Sequence, residues 1–146
     1  MKKNIAVMFG ITMLCVLLMG NVGYGFNQDD LYSLQTTNLC PRCDLSGAEL
    51  GGSTMHVADM NWANLSGADL SGADLSNSDV DGANLSGANL SGANLTGTDL
   101  SGANLTGANL NGANLTNTTL DGVKLDNATW TDGQPCQPGS VQTCIE

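Results

Sequence analysis

Positive charge is scarce in this chain. Four Lys and Arg stand against fourteen Asp and Glu over 146 residues, giving a formal net charge of −10. That balance excludes nucleic-acid binding through phosphate contacts and suits solubility and cationic partners. Histidine is scarcer still: His56 is alone, with no nucleophile in evident register beside it. General acid–base chemistry therefore lacks a group titrating near neutral pH, and no phosphate-binding loop or zinc ligand set is present. The expected protein is not an enzyme and carries no cofactor.

Long apolar runs are missing too. The longest, Ile5 to Met19, has fifteen residues, short of the ~20 that a membrane span needs. Lys2 and Lys3 precede it, and Gly23 and Gly25 sit at −3 and −1 before Phe26. These features predict a targeting segment over residues 1–25, cleaved between Gly25 and Phe26, and hence a periplasmic or secreted protein without stable membrane insertion. Cys15 lacks the preceding small residue that a lipoprotein signal requires. The mature chain of 121 residues would keep fourteen acidic side chains against Arg42 and Lys124 alone, a net charge near −12. One domain suffices for that length.

What the chain has in abundance is a repeat. From Ala63 to Asn114 it reads ANLSG ADLSG ADLSN SDVDG ANLSG ANLSG ANLTG TDLSG ANLTG ANLNG AN. A period of five fits neither regular element. On a helix, successive Leu residues would rotate by roughly 140°, and on a straight strand they would alternate between faces. The chain must therefore turn once per unit. Ala and Leu, one residue apart, share a face, and the Ser/Thr-Gly pair that follows supplies the turn.

Counted from Leu45 to Trp130, eighteen units are in phase. The large inward position is Leu in fourteen, among them Leu65, Leu70, Leu75, Leu85, Leu90, Leu95, Leu100, Leu105, Leu110, Leu115 and Leu120. It is Met at Met55 and Met60, Val at Val80 and Trp at Trp130. The corner two residues later is Gly in twelve units and Asn at Asn77, Asn117 and Asn127, residues that tolerate positive φ. Val57, Trp62 and Asp132 break that rule, so the corners at Val57 and Trp62 are expected to use a different turn. Ser78, Thr98 and Thr118 replace the small inward Ala at intervals of twenty. Twenty residues per lap make a four-sided coil.

The A(D/N)LxG pattern with four units per lap resembles the pentapeptide-repeat family, over about residues 41–132. The resemblance implies an all-β, right-handed quadrilateral β-helix of about 4.5 coils. At roughly 4.8 Å per coil the rod would stand ~20 Å tall, stabilised by stacking of neighbouring laps and in need of covers at both ends. Residues 26–40 are expected to form a short helical cap, with Asp29 and Asp30 in its first turn, and residues 133–146 a disulfide-closed tail. Cys40-Pro41-Arg42-Cys43 has the spacing of a redox motif, but no βαβ pattern surrounds it; a structural disulfide is the preferred reading, ahead of metal ligation. Opposite ends of a rod cannot be cross-linked unless the tail folds back, so the expected pairs are Cys40–Cys43 and Cys136–Cys144. Exported pentapeptide-repeat proteins look similar at both ends, with a CxxCDLSGA entry and a WTDG…C…GS…C exit.

Candidate sites lie on the surface. Asp59, Asp79 and Asp99 fall in one outward column, with Asp81 and Asp121 beside it; a cationic partner or cation would suit them, and a solvated acidic face is the simpler reading. Stacked Asn residues such as Asn64, Asn84 and Asn104 read as structural ladders. Met55, Met60 and His56 raise a copper site, but both Met occupy the core column and His56 points outward alone. Trp62 is a candidate partner patch. The expected partner is an unknown protein or envelope component, with the chain as monomer or end-to-end dimer. Two alternatives stand beside this scaffold reading. By resemblance, some family members are acidic DNA mimics that bind type II topoisomerases, which the targeting segment disfavours. A thiol–disulfide redox protein would rest on Cys40 and Cys43 alone.

Overall fold

The computed structural model describes residues 25–141 and Cys144. The targeting segment read over residues 1–25 lies outside the described residues, apart from Gly25. Among the described residues, no helix is long and apolar enough to cross a membrane.

Among the described residues there is one helix, α1 (Gln28–Thr37), and it precedes the coil. The Asn27 side chain accepts from the Asp29 N–H at its start, and Asn38 ends it in a left-handed conformation at φ 57°. Asp29 and Asp30 sit in its first turn, beside the positive end of the helix dipole. Its inward Leu34 is 1 % exposed, and Phe26 and Leu31 pack on the same core. The helix also supplies polar partners where the coil has no lap beneath it. An Asp30 carboxylate oxygen accepts from the Asp44 N–H at 2.8 Å, and the Asn27 N–H donates to the Asp44 carbonyl at 2.9 Å.

Beyond the helix the chain turns every fifth residue. Each side is a single bridged residue rather than an extended strand, and fifteen parallel bridges join residue i to residue i+20, from Leu39↔Asp59 to Asn109↔Thr129. Four outward columns result. Side 1 carries Leu39, Asp59, Asp79, Asp99 and Thr119; side 2 Asp44, Asn64, Asn84, Asn104 and Lys124; side 3 Glu49, Asp69, Asn89, Asn109 and Thr129; side 4 Thr54, Asp74, Asn94 and Asn114. The amides are satisfied between laps. The Leu45 N–H donates to the Asn64 carbonyl at 2.8 Å, the Gly47 N–H to the Ser66 carbonyl at 2.9 Å, and the Asn64 N–H back to the Cys43 carbonyl at 2.8 Å. Each corner closes on itself, as where the Ala48 N–H donates to the Leu45 carbonyl at 3.0 Å.

Inside, the Leu and Ala columns fill the axis. Leu65, Leu70, Leu85, Leu90, Leu95, Leu100, Leu105 and Leu110 are 0–1 % exposed, and Leu75 and Val80 are 2 % exposed. Met55 and Met60 belong to the same core. Leu115 and Leu120, on the last lap, are only partly buried. The replacements at the small position are hydrogen-bonded: Ser78 Oγ donates to the Met55 carbonyl, and Thr98 Oγ1 and Thr118 Oγ1 to those of Leu75 and Leu95, each at 2.7 Å. A hydroxyl in that column ties two laps together from within.

Three features differ from the sequence-based expectations. Val57 and Trp62 do not use another turn: their φ values of 58° and 60° are those of the glycine corners. Inter-lap amide bonds on both, to the Ser76 and Asp81 carbonyls, hold them there against their own preference. The coil also begins one unit earlier than Leu45. Cys40 occupies a buried inward position and Arg42 a corner at φ 61°. Finally, the tail doubles back and pairs antiparallel with the last lap, Thr129↔Pro135 and Lys124↔Val141. The Leu125 N–H donates to the Ser140 carbonyl and the Trp130 N–H to that of Gln134, at 3.0 and 2.8 Å.

Candidate interaction surface

Three of the four sides are laddered by side-chain amides, all oriented alike. On side 2, Asn104 Nδ2 donates to Asn84 Oδ1, Asn84 Nδ2 to Asn64 Oδ1, and Asn64 Nδ2 to Asp44 Oδ1, at 3.4, 3.3 and 3.0 Å. On side 3, Asn109 donates to Asn89 and Asn89 to Asp69; on side 4, Asn94 donates to Asp74. A chain of donors pointing one way needs an acceptor at its end, and a carboxylate is acceptor only. Each amide ladder therefore terminates in Asp toward the N-terminal end.

Two of those terminal carboxylates, Asp69 and Asp74, are held toward the ionised form. Asp69 titrates below the usual carboxylate value of 3.8, chiefly because the Ser71 backbone N–H and hydroxyl bond it, with Asn89 adding to the effect. Asp74 is lowered by the Ser76 hydroxyl and backbone N–H, then by Asn94 and the charge of His56. His56 is thus not alone, contrary to the expectation. Its Nδ1 lies 2.9 Å from the Ser76 carbonyl oxygen and 3.0 Å from Ser76 Oγ.

Side 1 is built differently. Its column holds no amide side chain. Asp59, Asp79 and Asp99 stack on successive laps, and each uses Oδ1 to accept a local backbone N–H, from Asn61, Asp81 and Ser101 respectively. Asp81 and Asp121 occupy the turn beyond this side, two laps apart. At the N-terminal end of the column the character changes. Leu39, directly beneath Asp59, is 55 % exposed, and the corners on either side of Asp59 carry Val57 and Trp62, 59 % and 61 % exposed. The Trp62 indole lies over the Gly82 corner of the next lap. Sequence reasoning found the aspartates and Trp62 but missed Leu39. Its place twenty residues before Asp59 was the available signal.

The four described cysteines sit at the two ends of the coil. Cys40 is disulfide-bonded to Cys43 and Cys136 to Cys144, with Cα–Cα distances of 5.3 and 4.7 Å. The first bridge spans the left-handed Arg42 corner with both partners buried; the second closes the returning tail over Cys136, 2 % exposed. Among the described residues, no group of three or more His, Cys, Asp or Glu is placed to hold a metal ion.

Comparison with known proteins agrees with this geometry. The family model described as pentapeptide repeats matches residues 42–72, 68–107 and 93–129, with eight copies. Among solved structures, a pentapeptide repeat protein of the Arabidopsis thaliana thylakoid lumen is 32 % identical, with a TM-score of 0.64 over 77 % of this chain and 76 % of that one. HetL, involved in heterocyst differentiation regulation in the cyanobacterium Nostoc sp. strain PCC 7120, is 33 % identical, with a TM-score of 0.56 over 66 % of this chain. The match spans about half the length of HetL, 51 %. A second pentapeptide repeat protein of that Nostoc strain is 39 % identical, with a TM-score of 0.54 over 63 % of this chain and 74 % of that one. No curated protein matches. With the repeat model covering most of the coil and solved relatives of the same shape, this chain belongs to the pentapeptide repeat family, whose members form right-handed quadrilateral β-helices.

Proposed function

We propose that this protein is an exported, non-enzymatic scaffold whose rigid sides present acidic and Asn-rich surfaces to another macromolecule. The observation that carries this reading is the filled axis. With the Leu and Ala columns buried along the coil, chemistry is confined to the outward columns, and those carry carboxylates, amides and hydroxyls without a second histidine. In this reading about 4.5 coils form the rod, α1 serves as the lower lid and the disulfide-closed tail as the upper one. A rod lidded at both ends resists edge-to-edge aggregation and stays available for side-on contacts.

Export is supported by the basic start, the apolar run and the small residues before Phe26. It also suits two disulfides in a small chain. A relative of the same fold resides in a lumen, that of the thylakoid. Burial of Cys40 and Cys43 disfavours a redox role, because exchange needs an accessible sulfur. Cell fractionation with N-terminal sequencing tests the proposal. The expected outcome is an envelope or extracellular protein beginning at Phe26. A cytoplasmic pool retaining residues 1–25 would overturn export and favour the topoisomerase-binding alternative.

A further inference from the structure

Of the five exposed large hydrophobic residues among those described, three cluster on the first lap of side 1: Leu39, Val57 and Trp62. Two of them stand where folding would choose otherwise. Val57 and Trp62 hold left-handed backbone at corners that are Gly in twelve other units, and β-branched or bulky residues are strained there. Neither recovers that strain through burial, since both stay more than half exposed. The same side stacks three carboxylates on successive laps without an intervening amide, against the single pair Glu49 and Asp69 on side 3. Strain, exposed apolar area and like-charge stacking, each unfavourable for the isolated coil, thus coincide on one strip.

We infer that this strip, the N-terminal end of side 1, docks a cationic amphipathic helix of another polypeptide. Its apolar residues seat on Leu39, Val57 and Trp62, and its Lys or Arg side chains lie along Asp59, Asp79 and Asp99. The inference rests on the scaffold reading and assigns it a place and a partner chemistry. Charge complementarity selects the sign: Arg42 and Lys124 are the only Lys or Arg from residue 25 onward, against fourteen Asp and Glu. Arg42 lies one lap beneath Trp62 at the same corner, which sets the direction, with the partner's apolar end low and its charge running toward later laps. Spacing selects the helix. Rungs repeat at about 4.8 Å, so three aspartates span ~10 Å, close to two helical turns of roughly 11 Å; same-face residues of a strand, near 6.7 Å apart, fall out of register. The indole offers one face to the Gly82 corner and the other outward, where a guanidinium or ammonium group can stack.

The test titrates the purified protein with a labelled eighteen-residue Lys/Leu amphipathic helical peptide and follows anisotropy. The comparison is with a Val57→Gly/Trp62→Gly double variant and with Asn84→Ala on side 2. Binding that weakens at least tenfold in the double variant, while Asn84→Ala binds as the parent does and the double variant melts no lower than the parent, supports the inference. A residue present only for stability would not give that split. Equal binding by the double variant overturns it, as does preference for a Glu/Leu peptide or for a neutral oligosaccharide. An envelope pull-down separates the two levels. Partners captured equally by parent and double variant sink this strip and leave the scaffold standing, whereas a parent that captures nothing above blank resin sinks both.

Discussion

Trp62 and Gly82 are locked together across one lap: a methyl group placed on the Gly82 α-carbon would stand 2.8 Å from three carbons of the Trp62 indole. Gly82 also sits at φ 63°, where an L side chain is disfavoured. Gly82→Ala is therefore expected to destabilise the coil by about 1–2 kcal/mol for the backbone alone, plus a contact penalty. Repeating the change in a Trp62→Ala background should recover the contact part. A double-mutant cycle by thermal unfolding reads that coupling, and a coupling of zero would place the indole elsewhere.

Val57→Gly should do the opposite. The left-handed corner costs a β-branched residue roughly 1–2 kcal/mol, against about 0.5–1 kcal/mol for the added freedom of glycine in the unfolded chain. At 59 % exposure little apolar contact is lost. The net expectation is a melting temperature higher by a few degrees. A lower melting temperature by circular dichroism would show that Val57 serves stability.

The buried hydroxyl column predicts an isosteric cost. Thr98, 0 % exposed, donates to the Leu75 carbonyl. Thr98→Val keeps the shape, removes the bond between laps and should cost about 1–2 kcal/mol. Thr118→Val, partly exposed on the last lap, should cost less. Equal or negligible losses in chemical denaturation would refute a role for these hydroxyls in joining laps.

Acid should act through the ladder ends. Because Asp69 and Asp74 titrate below the ordinary 3.8 in the folded state, their contribution is complete above that value. It is lost as pH falls through their lowered values. An Asp69→Asn/Asp74→Asn variant should be less stable than the parent near neutrality and converge with it in acid. A stability gap independent of pH would contradict the charge-assisted bonding at Ser71 and Ser76.

The parts of this architecture legible in the sequence are those that repeat. Leu at every fifth position and hydroxyls at every twentieth named the inward columns, because burial acts on each unit alike. The strip on side 1 was legible only in part. Asp59, Asp79 and Asp99 announce themselves by spacing, whereas Leu39 precedes the obvious repeat and the stacking of Trp62 on Gly82 has no periodic signature. The backbone of Val57 and Trp62 was misjudged because intrinsic preference was weighed without the neighbouring laps. At each of the two residues one inter-lap amide bond, whose loss would leave a donor unpaired at about 1–3 kcal/mol, offsets a local strain of about 1–2 kcal/mol. The returning tail was missed for a related reason: antiparallel pairing over Lys124 and Thr129 depends on where Pro135 to Val141 folds, and nothing in the pattern of five reaches that far.

Because the hydrogen bonds between laps join one lap only to the next, with Leu90 answering Asn109 and Asn89 answering Ala68, the coil behaves as a ruler graduated in steps of twenty. Cutting out a whole graduation, residues 83–102, would bring Gly82 against Ala103 and hand each remaining donor a substitute of the same kind. The molecule can thus be shortened or lengthened in fixed increments without redesigning either end, and the distance between the two ends becomes a quantity set by copy number alone.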